Sequence, residues 1–190
     1  MEEAEARKCF WVSDDKGLLG AGRVQFSGAQ AQWVRNELPD AYTLEQTIDA
    51  VKPTVLIGVT GVGGLFTESA VRRMAKHCAR PIIFPLSNPT DHAECTAKQA
   101  FEWTNGTCIF ASGSPFQPVT LNGKTYYPNQ SNNMFVFPGI GLGATSIHAT
   151  MISPRMLNTA SYTLAQTVRE EDLKVLSCSV HNIIFLFVGA

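Results

Sequence analysis

Four short apolar runs recur at near-equal intervals, near residues 55, 83, 109 and 135, and helical or long connections lie between them. Each is brief, rich in Val, Ile and Phe, and bounded by Pro, Gly or Asn. Runs of this kind read as strands buried in a sheet. Joining parallel strands takes a crossover of a dozen or more residues, usually a helix. The rhythm therefore predicts an α/β chain: an open, mostly parallel sheet with helices on both faces.

Local signals place the connecting elements. Leu44, Ile48 and Val51 fall at i, i+4 and i+7 behind Thr43 and Gln46, which have the spacing of a capping box. Thr67 with Glu68 opens a helix running to about Cys78. Thr96 with Gln99 opens another, stopped by Asn105-Gly106, and Ser153 caps one that begins at Pro154. Asn122-Gly123, between short apolar and β-branched residues, predicts a hairpin. Residues 2–8 have helical composition, acidic first and basic last, and lead into Cys9-Phe10-Trp11-Val12, a further buried-strand candidate. Residues 20–40 read as loop with partial helix, 134–137 as the last strand, and 140 to about 151 as a small-residue helix.

Composition narrows the function classes. With 190 residues, 45% hydrophobic and 16% charged, the chain has material for one domain with a substantial core. A formal charge of −1 and the lack of any Lys/Arg cluster argue against a nucleic-acid or anionic-membrane surface. Five scattered cysteines without a CxxC pair read as reduced thiols of an intracellular protein. The N-terminus is charged rather than apolar, unlike a signal peptide, and the apolar run at 183–190 is too short to cross a bilayer. His92 and Cys95 lie close in sequence, too sparse a pair to predict a metal site.

In open parallel sheets ligands sit beyond the carboxyl ends of the strands. The run at 82–86 would present Ser87 and Asn88 there, on a corner that the following Pro89 keeps out of the helical region. Such a turn fits a ligand contact and a plain Asx turn equally. The run at 54–59 leads into Thr60-Gly61-Val62-Gly63-Gly64, whose glycines allow a sharp turn and a close backbone approach to a ligand. A tight turn without a ligand fits as well, because the spacing is not G-x-G-x-x-G. Asp14 closes the Cys9–Val12 run, where an acidic residue binds ribose hydroxyls beside a dinucleotide or simply ends a strand. Asn132 and Asn133 precede the run at 134–137, where a loop could fold over the site.

Several segments taken together resemble the cofactor-binding domain of malic enzymes. They are Trp11-Val12-Ser13-Asp14-Asp15-Lys16-Gly17-Leu18-Leu19, Lys52-Pro53-Thr54-Val55-Leu56-Ile57-Gly58-Val59, and Arg80-Pro81-Ile82-Ile83-Phe84-Pro85-Leu86-Ser87-Asn88-Pro89-Thr90 followed by Ala93-Glu94-Cys95. Phe110-Ala111-Ser112-Gly113-Ser114-Pro115-Phe116 and Asn132-Asn133 with Phe137-Pro138-Gly139 complete the set. The resemblance covers residues 1–168 as a partial NAD-binding domain, leaving 169–190 as a divergent apolar tail. It implies a Rossmann-like fold, incomplete at its N-terminus, in an enzyme that oxidises L-malate with NAD or NADP and decarboxylates it to pyruvate and CO2, assisted by Mg2+ or Mn2+. It implies that Asn88 and Asn132 contact substrate, that Asn88 and Asn133 lie at the nicotinamide, that Val59, Thr60 and Ser87 line the dinucleotide, and that Asp14 sits at the adenosine ribose.

The tyrosine acid, the lysine base, the metal-binding carboxylates and the G-x-G-x-x-G turn of that family have no match in these residues. The expectation is therefore a chain inactive by itself and homo-oligomeric in its complete form, located in mitochondrion or cytoplasm. An alternative is a non-catalytic module that pairs with full-length subunits. A 2-hydroxy-acid dehydrogenase would need a His–carboxylate pair, and neither His77 nor His92 falls at a strand end. Asp15 beside Asp14, with no Lys or Arg between Val24 and Val34, points to NAD rather than NADP, although Lys16 and Arg23 lie close by.

Overall fold

The computed structural model describes residues 2–167. Three parallel strands form its centre: β3 (Val55–Gly58), β4 (Ile82–Pro85) and β5 (Ile109–Ser112). The register pairs Leu56 with Ile83 and Ile83 with Phe110, so these three side chains share one face of the sheet. Against that face pack α4 (Glu68–His77) through Ala70, Val71 and Met74, and α5 (Ala97–Trp103) through Ala97, Ala100 and Phe101. Phe101 stacks on Tyr126 at 4.9 Å between ring centroids and tilts against Phe110 at 5.7 Å. Full burial of side chains this size contributes about 1.5–3 kcal/mol each, and this cluster is the main core. On the other face Val55 and Ile57 remain 41% and 40% exposed.

The helices begin where local chemistry dictates. Thr43 and Gln46 exchange both capping-box bonds at the start of α3 (Leu44–Val51), and Thr96 and Gln99 do the same at α5. Thr67 caps α4, and Ser153 caps α7 (Pro154–Gln166) with proline in its first turn. Asn122 and Gly123, both at positive φ, turn β6 (Val119–Leu121) into its antiparallel partner β7 (Lys124–Tyr126).

Two expected strands are not formed. The fourth strand of the parallel sheet is β8 (Asn129–Gln130), which pairs with β5, while the expected strand at 134–137 is a 3-10 turn (Asn133–Phe135) leading into α6 (Phe137–Ser146). The reason is local: the Asn132 side chain accepts the Met134 N–H, and Pro138 sits in the first turn of α6. Helix α6 consequently starts earlier, and ends earlier, than the small-residue pattern suggests. Cys9-Phe10-Trp11-Val12 is also not a strand. It follows α1 (Glu3–Arg7), and the carbonyls of Lys8 and Phe10 accept from the Arg35 guanidinium at 2.8 and 3.1 Å. That guanidinium lies 4.2 Å from the centroid of the Trp11 ring. The cation takes two carbonyls that a neighbouring strand would have paired, while the Val12 carbonyl accepts the Leu19 N–H at 2.9 Å.

After this segment β1 (Ser13–Asp14) and β2 (Gly17–Leu18) form a two-stranded antiparallel ladder. The expected partial helix is α2 (Gly28–Ala31), capped by Ser27. Leu18 and Leu19 are fully buried. The apolar tail lies outside the described residues.

Candidate functional site

The carboxyl ends of β3, β4 and β5 form one edge, and most of the candidate residues lie along it. Beyond β3 come Val59, 68% exposed, and the turn Thr60-Gly61. Beyond β4 come Ser87, buried, and Asn88, exposed, joined to Pro89 by a cis peptide bond. Beyond β5 comes the turn Gly113-Ser114.

Two clusters tie these ends together. In the first, Asn88 and Asn132 meet at Gly113-Ser114. The Ser114 hydroxyl donates to Asn88 Oδ1 at 2.6 Å, and Asn132 Nδ2 donates to the Gly113 carbonyl at 3.0 Å. The approach is so close that a Cβ on Gly113 would collide with the Leu86 carbonyl and lie 2.6 Å from Asn88 Nδ2. Gln130 Nε2 donates to the same Gly113 carbonyl at 3.1 Å. Asn133, in the 3-10 turn, is exposed.

In the second cluster, Thr60 and Ser87 meet at Glu94, which is completely buried. Glu94 Oε1 accepts from the Thr60 N–H at 2.9 Å, the Thr60 hydroxyl at 2.8 Å and the Ser87 hydroxyl at 2.6 Å. Burial pushes the Glu94 carboxyl up, but the bonds from Ser87 and Thr60 outweigh it and hold the group below the ordinary glutamate value. Glu94 therefore stands ionised in the interior.

The glycine turn is bound to its own chain rather than open along its length. The Gly64 N–H donates to the Ala93 carbonyl at 3.2 Å and the Phe66 N–H to the Glu94 carbonyl at 2.9 Å. A Cβ on Gly63 would strike the Asp91 carbonyl. Gly61 and Gly64, at φ of +71° and +75°, have open space where a side chain would be, although the Gly61 N–H is held by the Ser87 hydroxyl at 2.8 Å.

Asp14 lies apart from both clusters, on the β1–β2 ladder. Its carboxylate pairs with Arg23 at 2.9 Å and accepts from Gln30 Nε2 at 3.3 Å and the Lys16 N–H at 2.9 Å. The Arg23 side chain, only 3% exposed, also pairs with Asp40 at 2.6 Å and donates to the carbonyls of Gly17 and Leu18. Asp14 is thus an ion-paired carboxylate that shares the single charge of Arg23 with Asp40. Among the described residues no three His, Cys, Asp or Glu side chains gather as a cation would require, and His92 is exposed while Cys95 is buried. No helix among them is long and apolar enough to cross a membrane.

Sequence reasoning did not single out Glu94 or Arg23 for these roles. A signal for Glu94 exists in its setting, a carboxylate between Ala93 and Cys95 in a stretch otherwise fit for burial. Arg23 gives no such sign, because its partners are 9 and 17 residues away.

A family model described as malic enzyme, NAD binding domain, matches residues 1–183. The chain is 45% identical over 185 residues to an NADP-dependent malic enzyme of Dictyostelium discoideum, a match covering 95% of this chain and 33% of that protein. It is 45% identical over 175 residues to an NADP-dependent malic enzyme of Columba livia, covering 92% and 31%. A chloroplastic NADP-dependent malic enzyme of Oryza sativa is 45% identical over 171 residues, covering 90% and 27%. The chain spans about a third or less of the length of these relatives. Their names overturn the expectation of NAD over NADP. The acidic pair misled because Asp14 is charge-paired with Arg23, so it does not face a phosphate as a bare anion.

Proposed function

The chain belongs to the malic enzyme family, of which it is the NAD(P)-binding domain, and from that premise we propose that it seats NADP along the strand ends and holds L-malate beside the nicotinamide for conversion to pyruvate and CO2. The observation that carries this reading is the convergence of Asn88 and Asn132 on the Gly113-Ser114 turn. Two neutral amides at one corner orient a small diacid without adding a positive charge that would oppose departure of a hydride. Asn88 Oδ1 is engaged by Ser114, while Nδ2 has only a long 3.4 Å contact with the Leu86 carbonyl and keeps donor capacity for a carboxylate or carboxamide. Asn132 gives one amide hydrogen to Gly113, and its second serves a malate carboxylate.

Val59, Thr60, Ser87, Asn88 and Asn133 would hold NADP, whose nicotinamide would supply the hydride acceptor for the hydroxyl-bearing carbon of malate. In this reading exposed Val59 would supply apolar surface for a ring, the space free of side chain at Gly61 would admit the dinucleotide, and exposed Asn133 would serve the carboxamide. Asp14 marks the ribose end. Exposed Lys16, on the same hairpin, is the cation suited to a 2′-phosphate.

Proton transfer and polarisation of the keto oxygen need an acid, a base and a metal site beyond those the family resemblance finds in these residues, so the 190-residue chain is read as inactive by itself. The test is titration of the chain with NADPH, followed by nucleotide fluorescence, alongside an assay with malate, NADP and Mn2+. Saturable NADPH binding without NADPH production is expected. Absence of binding would refute the dinucleotide reading. Malate-dependent NADPH formation that scales with chain concentration would refute the inactivity.

A second reading, a module that pairs with full-length subunits, draws on the half-exposed Val55 and Ile57 of the sheet. Co-purification with intact enzyme in the absence of NADPH binding would favour it.

A further inference from the structure

Glu94 does more than fill a buried position. A hydroxyl carries a single proton, and the protons of Thr60 and Ser87 both go to Glu94 Oε1. Each hydroxyl then has only acceptor capacity left. That of Ser87 takes the Gly61 N–H at 2.8 Å, and that of Thr60 takes the Val62 N–H at 3.1 Å. Two relays, Gly61 through Ser87 and Val62 through Thr60, therefore end on one carboxylate oxygen. Their direction is fixed because an ionised carboxylate only accepts. Gly58 makes room for it, since a Cβ there would collide with the Glu94 carboxyl carbon.

We propose that Glu94 is a positioning residue for the dinucleotide: by orienting both relays it holds the Thr60–Val62 turn against Ser87-Asn88, and so fixes the edge on which the cofactor lies. The proposal rests on the reading that NADP binds along the strand ends. It also assigns the two hydroxyls a role different from direct donation. Their protons are committed, so neither is available to donate to a nucleotide phosphate, and their contribution comes through the backbone they hold in place.

The test compares three variants of the 190-residue chain by NADPH titration, with near-UV circular dichroism as the check on folding. Glu94→Gln keeps a carbonyl oxygen to accept the two hydroxyls, while its NH2 replaces only the oxygen that makes a long 3.4 Å contact with the Ser87 N–H. Glu94→Met fills the same volume with nothing to accept them. Gly58→Ala drives a methyl group into the carboxylate without altering either hydroxyl. Glu94→Gln is expected to stay within about three-fold of the wild type, and Glu94→Met and Gly58→Ala to weaken NADPH binding by about ten-fold or more. A packing role alone would leave the Gln and Met variants alike, since both side chains occupy the same space. Folded Glu94→Met that binds NADPH as tightly as wild type overturns the proposal; where that variant does not fold, tight binding by Gly58→Ala does so. A wild-type protein that binds no NADPH removes the cofactor reading itself, and this proposal with it.

Discussion

Along the ends of β3, β4 and β5, polar groups rest on an apolar core. Around the β1–β2 hairpin they take the place of one. Beneath the first region lie Leu56, Ile83, Phe110 and the buried faces of α4 and α5. There Asn88 stays exposed while Ser87 and Thr60 are oriented by one carboxylate. In the second region Leu18 and Leu19 are buried, but the loops are gathered by Arg23, which binds two carboxylates and two carbonyls, and by Arg35, which binds two carbonyls and stacks on Trp11. The contrast shows why an acidic residue at a strand end means different things in the two places. A core leaves surface polar groups at liberty to meet a ligand. Where the core is thin, the same groups hold the chain together, and Asp14 has a structural partner before any cofactor arrives.

The largest expected effect comes from cutting into the core. Phe110→Ala removes a ring that touches Phe101 and Phe116 and is 1% exposed. It should cost about 4 kcal/mol in urea unfolding, with little dependence on salt or pH. A loss under about 1 kcal/mol would mean that the aromatic cluster is not the principal source of stability.

The next effect sharpens the comparison from the charged side. Arg23→Met keeps the buried stem but strands Asp14 and Asp40 and leaves the Gly17 and Leu18 carbonyls without the guanidinium. Breaking a buried ion network from the cationic side should cost about 3 kcal/mol, the low end being chosen because both carboxylates keep some contact with solvent. The bond from Arg23 holds the Asp40 carboxyl below its ordinary 3.8, against the opposing effect of burial. A carboxyl whose pKa is lower folded than unfolded stabilises the fold fully above its unfolded value, and that contribution is lost as pH falls through the folded value. The gap between wild type and Arg23→Met should therefore narrow below about pH 4, while the gap to Phe110→Ala stays constant. Parallel pH curves for all three proteins would remove the distinction between the two regions.

How much of this could be read from the residues follows the same division. Thr43 with Gln46, Thr96 with Gln99, Thr67 and Ser153 mark helix starts correctly because capping is settled within one turn of chain, and Asn122-Gly123 marks its hairpin for the same reason. The parallel strands at 55, 82 and 109 were legible because burial imposes a composition. The run at 134–137 was not, since Asn132 behind it and Pro138 within it turn an apolar sequence into a 3-10 turn and a helix. Asn88 could be expected at the end of its strand, whereas Asn132, expected ahead of a strand at 134–137, instead follows β8. The setting of Glu94 hints at its burial, but its bond to Thr60, 34 residues back, depends on the strands being paired.

The smallest effect concerns thiol chemistry, and it tests whether the two regions open separately. Cys95 and Cys108 are 1% and 4% exposed within the core, and burial pushes the Cys95 thiol far above its ordinary range, so it has little thiolate to react. Cys9, in the hairpin region, is exposed. Native labelling read by peptide mass spectrometry should modify Cys9 rapidly and leave Cys95 and Cys108 protected. In Arg23→Met the hairpin region loses its tether while the sheet keeps its core, so Cys95 and Cys108 should remain protected under native conditions. In Phe110→Ala the core itself is loosened, and their labelling should accelerate. Equal acceleration in both variants would mean that the hairpin and the sheet unfold as one cooperative unit, and that the division between charge-held and core-held regions describes contacts without separate stabilities.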